Sequence, residues 1–173
     1  MAAKKKGSGI KLAAALGVGA ALLGGAGHGH GKGILADLTS AGGPSASQAI
    51  AYEKQQLGCP YVWGGTGPCA SGYDCSGLVY EAYGLPSSLR TSEEQWAGLP
   101  HVATPVRGDL VFFAGADGTP SDPGHVGTVL NPAKHTMIEA YASGVPVRIS
   151  TYGLPSSASG DTNPVGFANP GGA

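Results

Sequence analysis

Hydrophobic and polar positions change their period twice along the 173-residue chain. Behind Ser45 or Ser47, Ala46, Ile50, Ala51 and Leu57 recur at near-helical spacing, which predicts a serine-capped helix stopped by Gly58 and Pro60. Residues 58–74 lose all period and read as a glycine-rich loop containing Pro60 and Pro68. A second helix is expected from Cys75, carrying Leu78, Val79 and Ala82 to a break at Gly84-Leu85-Pro86. Thr91 and Glu94 have capping-box spacing and start a short third helix through Trp96. After Arg107-Gly108-Asp109 the pattern becomes that of strands. Residues 110–113 form a buried run, 126–130 and 136–140 a hairpin around Asn131-Pro132, 145–149 a fourth strand and 166–167 a short last one. Helices first and antiparallel strands afterwards predict an α+β fold, with N-terminal helices packed on a central antiparallel sheet of about five strands.

The ends of the chain depart from this pattern. Lys4-Lys5-Lys6 precede an apolar run of Leu, Ala, Val and Gly over 12–26, too short for an ordinary transmembrane span of roughly 20 apolar residues. Residues 1–26 therefore read as a secretory signal peptide or a membrane anchor, and 27–44 as a Gly-rich linker. His28 and His30 read there as solvated tail. The folded domain is expected over 45–168, with 169–173 as a tail. The net charge of −1 offers no basic field for nucleic acid and no acidic block for a disordered tail. A monomeric, secreted or cell-surface protein is the expectation, tethered to a membrane if 12–26 stays in place.

Of three cysteines, Cys59 and Cys69 bracket a ten-residue loop and Cys75 stands alone. Export would allow a disulfide between the first two, leaving one thiol to flag as reactive; three reduced cysteines is the alternative. No C-x-x-C or H-x-x-x-H spacing suggests a metal site, and no cofactor is expected.

Cys75 is placed for nucleophilic chemistry. At the first turn of a helix its sulfur meets the positive end of the helix dipole, and its own N–H points where an oxyanion would develop. Ser76-Gly77 keeps that turn uncrowded. Among the five histidines, His101 lies in a Pro-bounded loop and His135 near a hairpin turn, both reading as surface. His125 alone opens a strand whose apolar residues would hold an imidazole rigidly, as a general base requires. If the hairpin closes with a three-residue loop, 131–133, His125 lies directly across from Glu139; a five-residue loop leaves the two diagonal on one face. Glu139 sits in an otherwise apolar strand end, where an unpaired carboxylate is costly, and is the expected orienting partner.

Tyr61-Val62-Trp63-Gly64-Gly65, Asp74-Cys75-Ser76-Gly77-Leu78-Val79, Arg107-Gly108-Asp109-Leu110-Val111-Phe112-Phe113 and Gly124-His125-Val126-Gly127 resemble, in order and approximate spacing, the successive blocks of the NlpC family of cell-wall cysteine peptidases. The resemblance covers roughly 45–168 and implies a papain-like fold. It also implies cleavage of amide bonds in peptidoglycan stem peptides, typically between D-glutamate and the diamino acid. By that resemblance Cys75 is the nucleophile and His125 the base. Tyr61 matches the family's motif tyrosine, with a hydroxyl to aid the oxyanion, and Asp74 and Ser76 match positions that, in members cutting near a free N-terminus, contact the substrate's amine. Trp63 reads as packing. The chain departs from the family in carrying Glu139 where histidine is most frequent, in a hairpin about two residues longer, and in the extra Cys59–Cys69 pair. An amidase or acyltransferase on the same fold, or a catalytically silent wall-binding or assembly module, are the alternatives.

Overall fold

In the computed structural model, residues 43–172 are described; the leader and nearly all of the linker lie outside them. None of the described helices is long and apolar enough to cross a membrane. Helix α1 spans Ala46–Gln55, capped by Ser45 in a reciprocal box with Gln48. Helix α2 spans Cys75–Tyr83 and ends at Gly84, whose φ of 59° is the left-handed cap that glycine takes without strain. Helix α3 spans Ser92–Gly98 behind the expected Thr91/Glu94 box. Six strands follow: β1 (His101–Val102), β2 (Leu110–Phe113), β3 (His125–Asn131), β4 (Thr136–Glu139), β5 (Arg148–Thr151) and β6 (Gly166–Ala168). They pair antiparallel in the order β1-β6-β2-β3-β4-β5.

Three details differ from expectation. The apolar stripe of α1 is Ala49 and Ile50 continued by Glu53, while Ala51 is exposed and Leu57, beyond the helix end, is 41% exposed. The fourth predicted strand starts later, at Arg148, because the Val147 backbone bonds to Gly58 and Cys59 of the loop instead of to β4. The strand beyond the five expected, β1, is two residues long and carries no period; it forms because β6 offers it an edge. His101 remains exposed, stacked on Trp96 with ring centroids 3.8 Å apart, and His135 is exposed as expected.

Alternation in the strands divides the core. Leu110, Phe112 and Val126 face α1 and α2, where Ala49, Val79, Ala82 and Tyr83 cover them. Val111, Phe113, Val129 and Met137 form the opposite layer with Tyr152. Between α1 and β3 a polar pair is sealed in. The Glu53 carboxyl is fully buried and accepts from the Thr128 hydroxyl at 2.6 Å through one oxygen, while the other has no partner.

Burial pushes the Glu53 pKa up to about 8, against the smaller opposing effect of Thr128. The unfolded chain ionises this carboxyl near its ordinary value, whereas the native state must hold the proton. Its contribution to stability is therefore fully present below the unfolded pKa. It is lost as pH rises toward 8, at up to about 1.4 kcal/mol per unit. A Glu53→Gln variant should match the parent in thermal melts at pH 4.5 and become increasingly more stable than it up to pH 8. A melting difference that stayed flat with pH would contradict the buried-acid account.

Candidate active site

The cysteine side of the site is built from the loop 58–74 and the start of α2. A disulfide joins Cys59 to Cys69, and Cys75 is the free thiol, 8% exposed. Asp74 caps α2, its Oδ1 accepting from the Gly77 N–H at 2.6 Å. Its other oxygen accepts from the Gly64 N–H at 2.8 Å, and Arg90 grips both, at 3.2 and 2.9 Å. The Arg90 guanidinium also donates to Ser76 at 3.0 Å and to the Gly65 carbonyl at 3.4 Å. One buried carboxylate thus ties the Tyr61 loop, the helix start and the segment before α3 together. The first N–H groups of a helix have no acceptor within it. Asp74 caps the Gly77 N–H, and the Cys75 N–H is left without an acceptor within the helix.

Gly77 is required by the same close approach. A Cβ there would collide with the Gly65 carbonyl oxygen and lie 2.8 Å from Asp74 Oδ1. Neither obstacle is the free end of a flexible side chain. Gly77→Ala should cost about 1–3 kcal/mol in a denaturation experiment and lower the alkylation rate of Cys75 by displacing it. A variant with parental stability would show that the loop yields.

The histidine side comes from the sheet. Thr128 pairs with Ile138 and Val129 with Met137, a register that sets Glu139 opposite Gly127 and two positions along from His125. The pair is diagonal, because the turn consumes more residues than the three-residue loop allowed. Asn131 caps a 3-10 turn over Pro132–Lys134, and His135 closes it in the left-handed conformation. A long side chain still spans a diagonal pair. His125 Nε2 and Glu139 Oε2 are 2.8 Å apart, with both residues buried. That contact leaves Nδ1 as the nitrogen available to Cys75, whose sulfur lies beside the Gly124 carbonyl at 3.9 Å.

Glu139 is held in turn by Arg148, directly across on β5, through Nε at 2.9 Å and an outer guanidinium nitrogen at 2.8 Å, both on Oε1. Burial alone would lower the His125 pKa. Interaction with Cys75 and Glu139 outweighs it and raises the group to about 10. Burial would likewise raise Glu139, but the hydrogen bond and charge of His125, with help from Arg148, hold it below the ordinary carboxylate value. Tyr61 rises to about 12, from burial first and then from the charges of Cys75, Asp74 and Asp117. Its hydroxyl therefore keeps its proton and can donate.

Tyr61, Trp63, Cys75, Asp117 and Gly124 line both lobes of the cleft, cavities of about 700 and 340 Å³. The larger also takes in His125, Tyr141 and Asp161, the smaller Asp74, Ser76 and Arg90. Trp63 is 77% exposed at their shared rim and is not packing, because the loop turns its ring outward over the cleft. Arg90, Arg148 and Asp161 escape sequence reasoning. Arg90 stands next to the Thr91 cap and could have been suspected as a partner for Asp74; nothing in the local pattern marks the other two. His125, Glu139 and Asp161 form the one group among the described residues with donors close enough for a metal, within 4.8 Å. Arg148 already supplies a cation there.

The sequence profile of the NlpC/P60 family matches residues 58–157. LytE of Bacillus subtilis, a probable peptidoglycan endopeptidase, is 33% identical over 105 residues, covering 60% of this chain and 29% of LytE. The murein DD-endopeptidase MepH of Escherichia coli is 36% identical over 133 residues, covering 69% of this chain and 45% of MepH. The chain thus spans less than half the length of these relatives. A crystal structure of an NlpC/P60 family protein from Bacillus cereus superposes with a TM-score of 0.60 at 27% identity, over 75% of this chain and 41% of that one. With the order of its helices and antiparallel strands and the profile match through the cysteine and histidine blocks, the chain belongs to the NlpC/P60 family.

Proposed function

We propose that this protein is a cysteine endopeptidase that hydrolyses amide bonds in the stem peptides of peptidoglycan. The observation that carries the reading is a free thiol at the N-terminus of α2, set against a buried histidine whose far nitrogen is bound by a carboxylate. In the first step Cys75 Sγ bonds to the substrate carbonyl carbon, and the oxyanion takes hydrogen bonds from the Cys75 N–H and the Tyr61 hydroxyl. His125 Nδ1 gives its proton to the departing amine as the C–N bond breaks, leaving a thioester. Water then attacks the thioester while His125 takes its proton, the acid product leaves, and the thiolate–imidazolium pair is restored. Glu139 keeps the imidazole turned toward the sulfur throughout.

The bond we favour joins D-glutamate to the diamino acid. An amine entering the smaller lobe must compete with Arg90 for Asp74, so the arrangement suits cleavage inside a stem better than recognition of a free N-terminus. The relative named a DD-endopeptidase makes a D,D cross-link the other outcome to look for. We place the enzyme outside the cytoplasm, at the wall, where the Cys59–Cys69 bridge is stable and where the basic and apolar leader would deliver or hold it. Digestion of defined muropeptides by the purified chain, with products identified by mass spectrometry, tests the proposal. New amine and carboxyl ends at the D-glutamyl bond support it, and intact muropeptides overturn it.

A further inference from the structure

Asp161 is the fully buried acid in the cleft wall that the mechanism above leaves unused. It is completely buried, at the end of a short 3-10 turn, Ser159–Asp161. Its backbone is fastened on both sides, its N–H donating to Ala158 and its carbonyl accepting from Gly153, each at 2.8 Å. Both carboxylate oxygens lack a hydrogen-bond partner. Burying such a group without a partner costs several kcal/mol, and where a native protein tolerates it the group calls for an explanation, a catalytic role among them. Here the two oxygens point at two cations. Oδ1 lies 3.8 Å from His125 Nε2, and Oδ2 lies 3.9 Å from an Arg148 nitrogen.

The charges around Nε2 give a second acid a role there. Glu139 shares its single negative charge between His125 and Arg148. When His125 carries its proton, the Cys75 thiolate faces one side of the ring, while on the Nε2 side Glu139 alone is set against both His125 and Arg148; Asp161 adds a second anion on that side. We propose that Asp161 is a positioning residue for the base, a second carboxylate on His125 Nε2 that stabilises the imidazolium and so maintains the reactive thiolate.

The other groups facing this cluster are Cys75 from α2, Tyr61 and Asp117 from the cleft loops, and Tyr141 beyond β4, with its ring edge to His125 and its face under Arg148. Burial, and then the charge of Glu139, push Asp161 up to about 6 despite its two cations. Its contribution therefore fades as pH falls through that value.

The inference rests on the catalytic reading of Cys75 and His125, and the test separates the two. The full-length protein and its Asp161→Asn and Asp161→Ser variants are compared in muropeptide hydrolysis and in iodoacetamide alkylation of Cys75 across pH 5–10, with Cys75→Ala as control. An opposite charge at this range shifts an ionisation by about one unit or more. Asp161→Asn should therefore move the basic limb of kcat/KM down by about one unit, lowering kcat/KM about fivefold at pH 10 and little at pH 8.5, with KM nearly unchanged. Alkylation should slow in parallel below pH 8. Asparagine matches aspartate in shape and removes an unpaired charge, so melting temperatures should hold, and Asp161→Ser repeats the test with a smaller side chain. Parental pH limbs in both variants would overturn the role of Asp161 while leaving the catalytic reading intact. Hydrolysis by Cys75→Ala would overturn the catalytic reading itself.

Discussion

Replacing Cys75 with alanine should abolish release of peptide from cell walls, by at least about 10³-fold in kcat, while leaving the protein folded and able to bind its substrate. The sulfur is the only atom in the cleft that can bond to the carbonyl carbon in the proposed route, so no neighbour compensates. Its removal disturbs little else. Cys75 lies at the cleft with its sulfur near a single carbonyl, and the capping of α2 runs through Asp74 and Gly77. The Asp74–Arg90 clasp should persist, and with it the melting temperature to within a degree or two. Turnover by purified protein on defined muropeptides, paired with equilibrium binding of the same peptides, gives the comparison. Undiminished hydrolysis would remove the thiol from the mechanism. Lost binding together with lost turnover would mean that the variant had damaged the cleft.

The second large effect is expected at Glu139. Glutamine preserves its shape but offers one oxygen where two are in use, one for His125 and one for Arg148. Either the imidazole or the guanidinium must then face an amide NH₂, donor against donor. If the imidazole loses, it rotates or settles in the tautomer whose proton faces the sulfur, and it can no longer act as base. Losses on the order of 10²–10⁴-fold in kcat follow, with KM nearly constant because Tyr61, Trp63 and Arg90 are untouched. His125 also loses its strongest anionic partner, so the basic limb of the pH profile should fall well below that of the parent. A Glu139→Gln enzyme with parental kcat and pH limbs would show that strand β3 alone holds the imidazole in place.

Several parts of this site were legible because local chemistry announces them. Asp74 before Cys75, with Gly84 closing the helix, marks α2 without help from the rest of the fold. Thr91 with Glu94 does the same for α3. The nearly unbroken burial of 110–113 follows from four large apolar residues in a row. His125 could be selected by elimination, since the strand behind it was visible. The register of its hairpin was not. It depends on Asn131 capping a 3-10 turn and on His135 accepting a left-handed backbone, and neither choice is announced by period. Charged residues that only tertiary placement brings inward were the main omission. Glu53 continues an apolar stripe from a position that composition reads as polar. Arg148 arrives because β5 pairs with β4 in one register, and Asp161 because a loop returns over the cleft. Trp63 failed in the opposite direction, as an aromatic residue that the loop holds out to solvent.

Most of the cleft comes from two stretches of chain that meet at Cys75, with residues 115–117 completing the wall between them. Residues 59–93 supply the thiol, the proposed oxyanion donors, the rim tryptophan and most of the smaller lobe; residues 124–161 supply the proposed base, its carboxylates and their arginine. Natural variation can therefore reach these two tasks separately. A change in the first stretch alters which peptide is admitted, and a change in the second alters the acidity at which cutting proceeds. A lineage moving to a new wall chemistry, or to a more acid habitat, can rewrite one stretch and inherit the other unaltered.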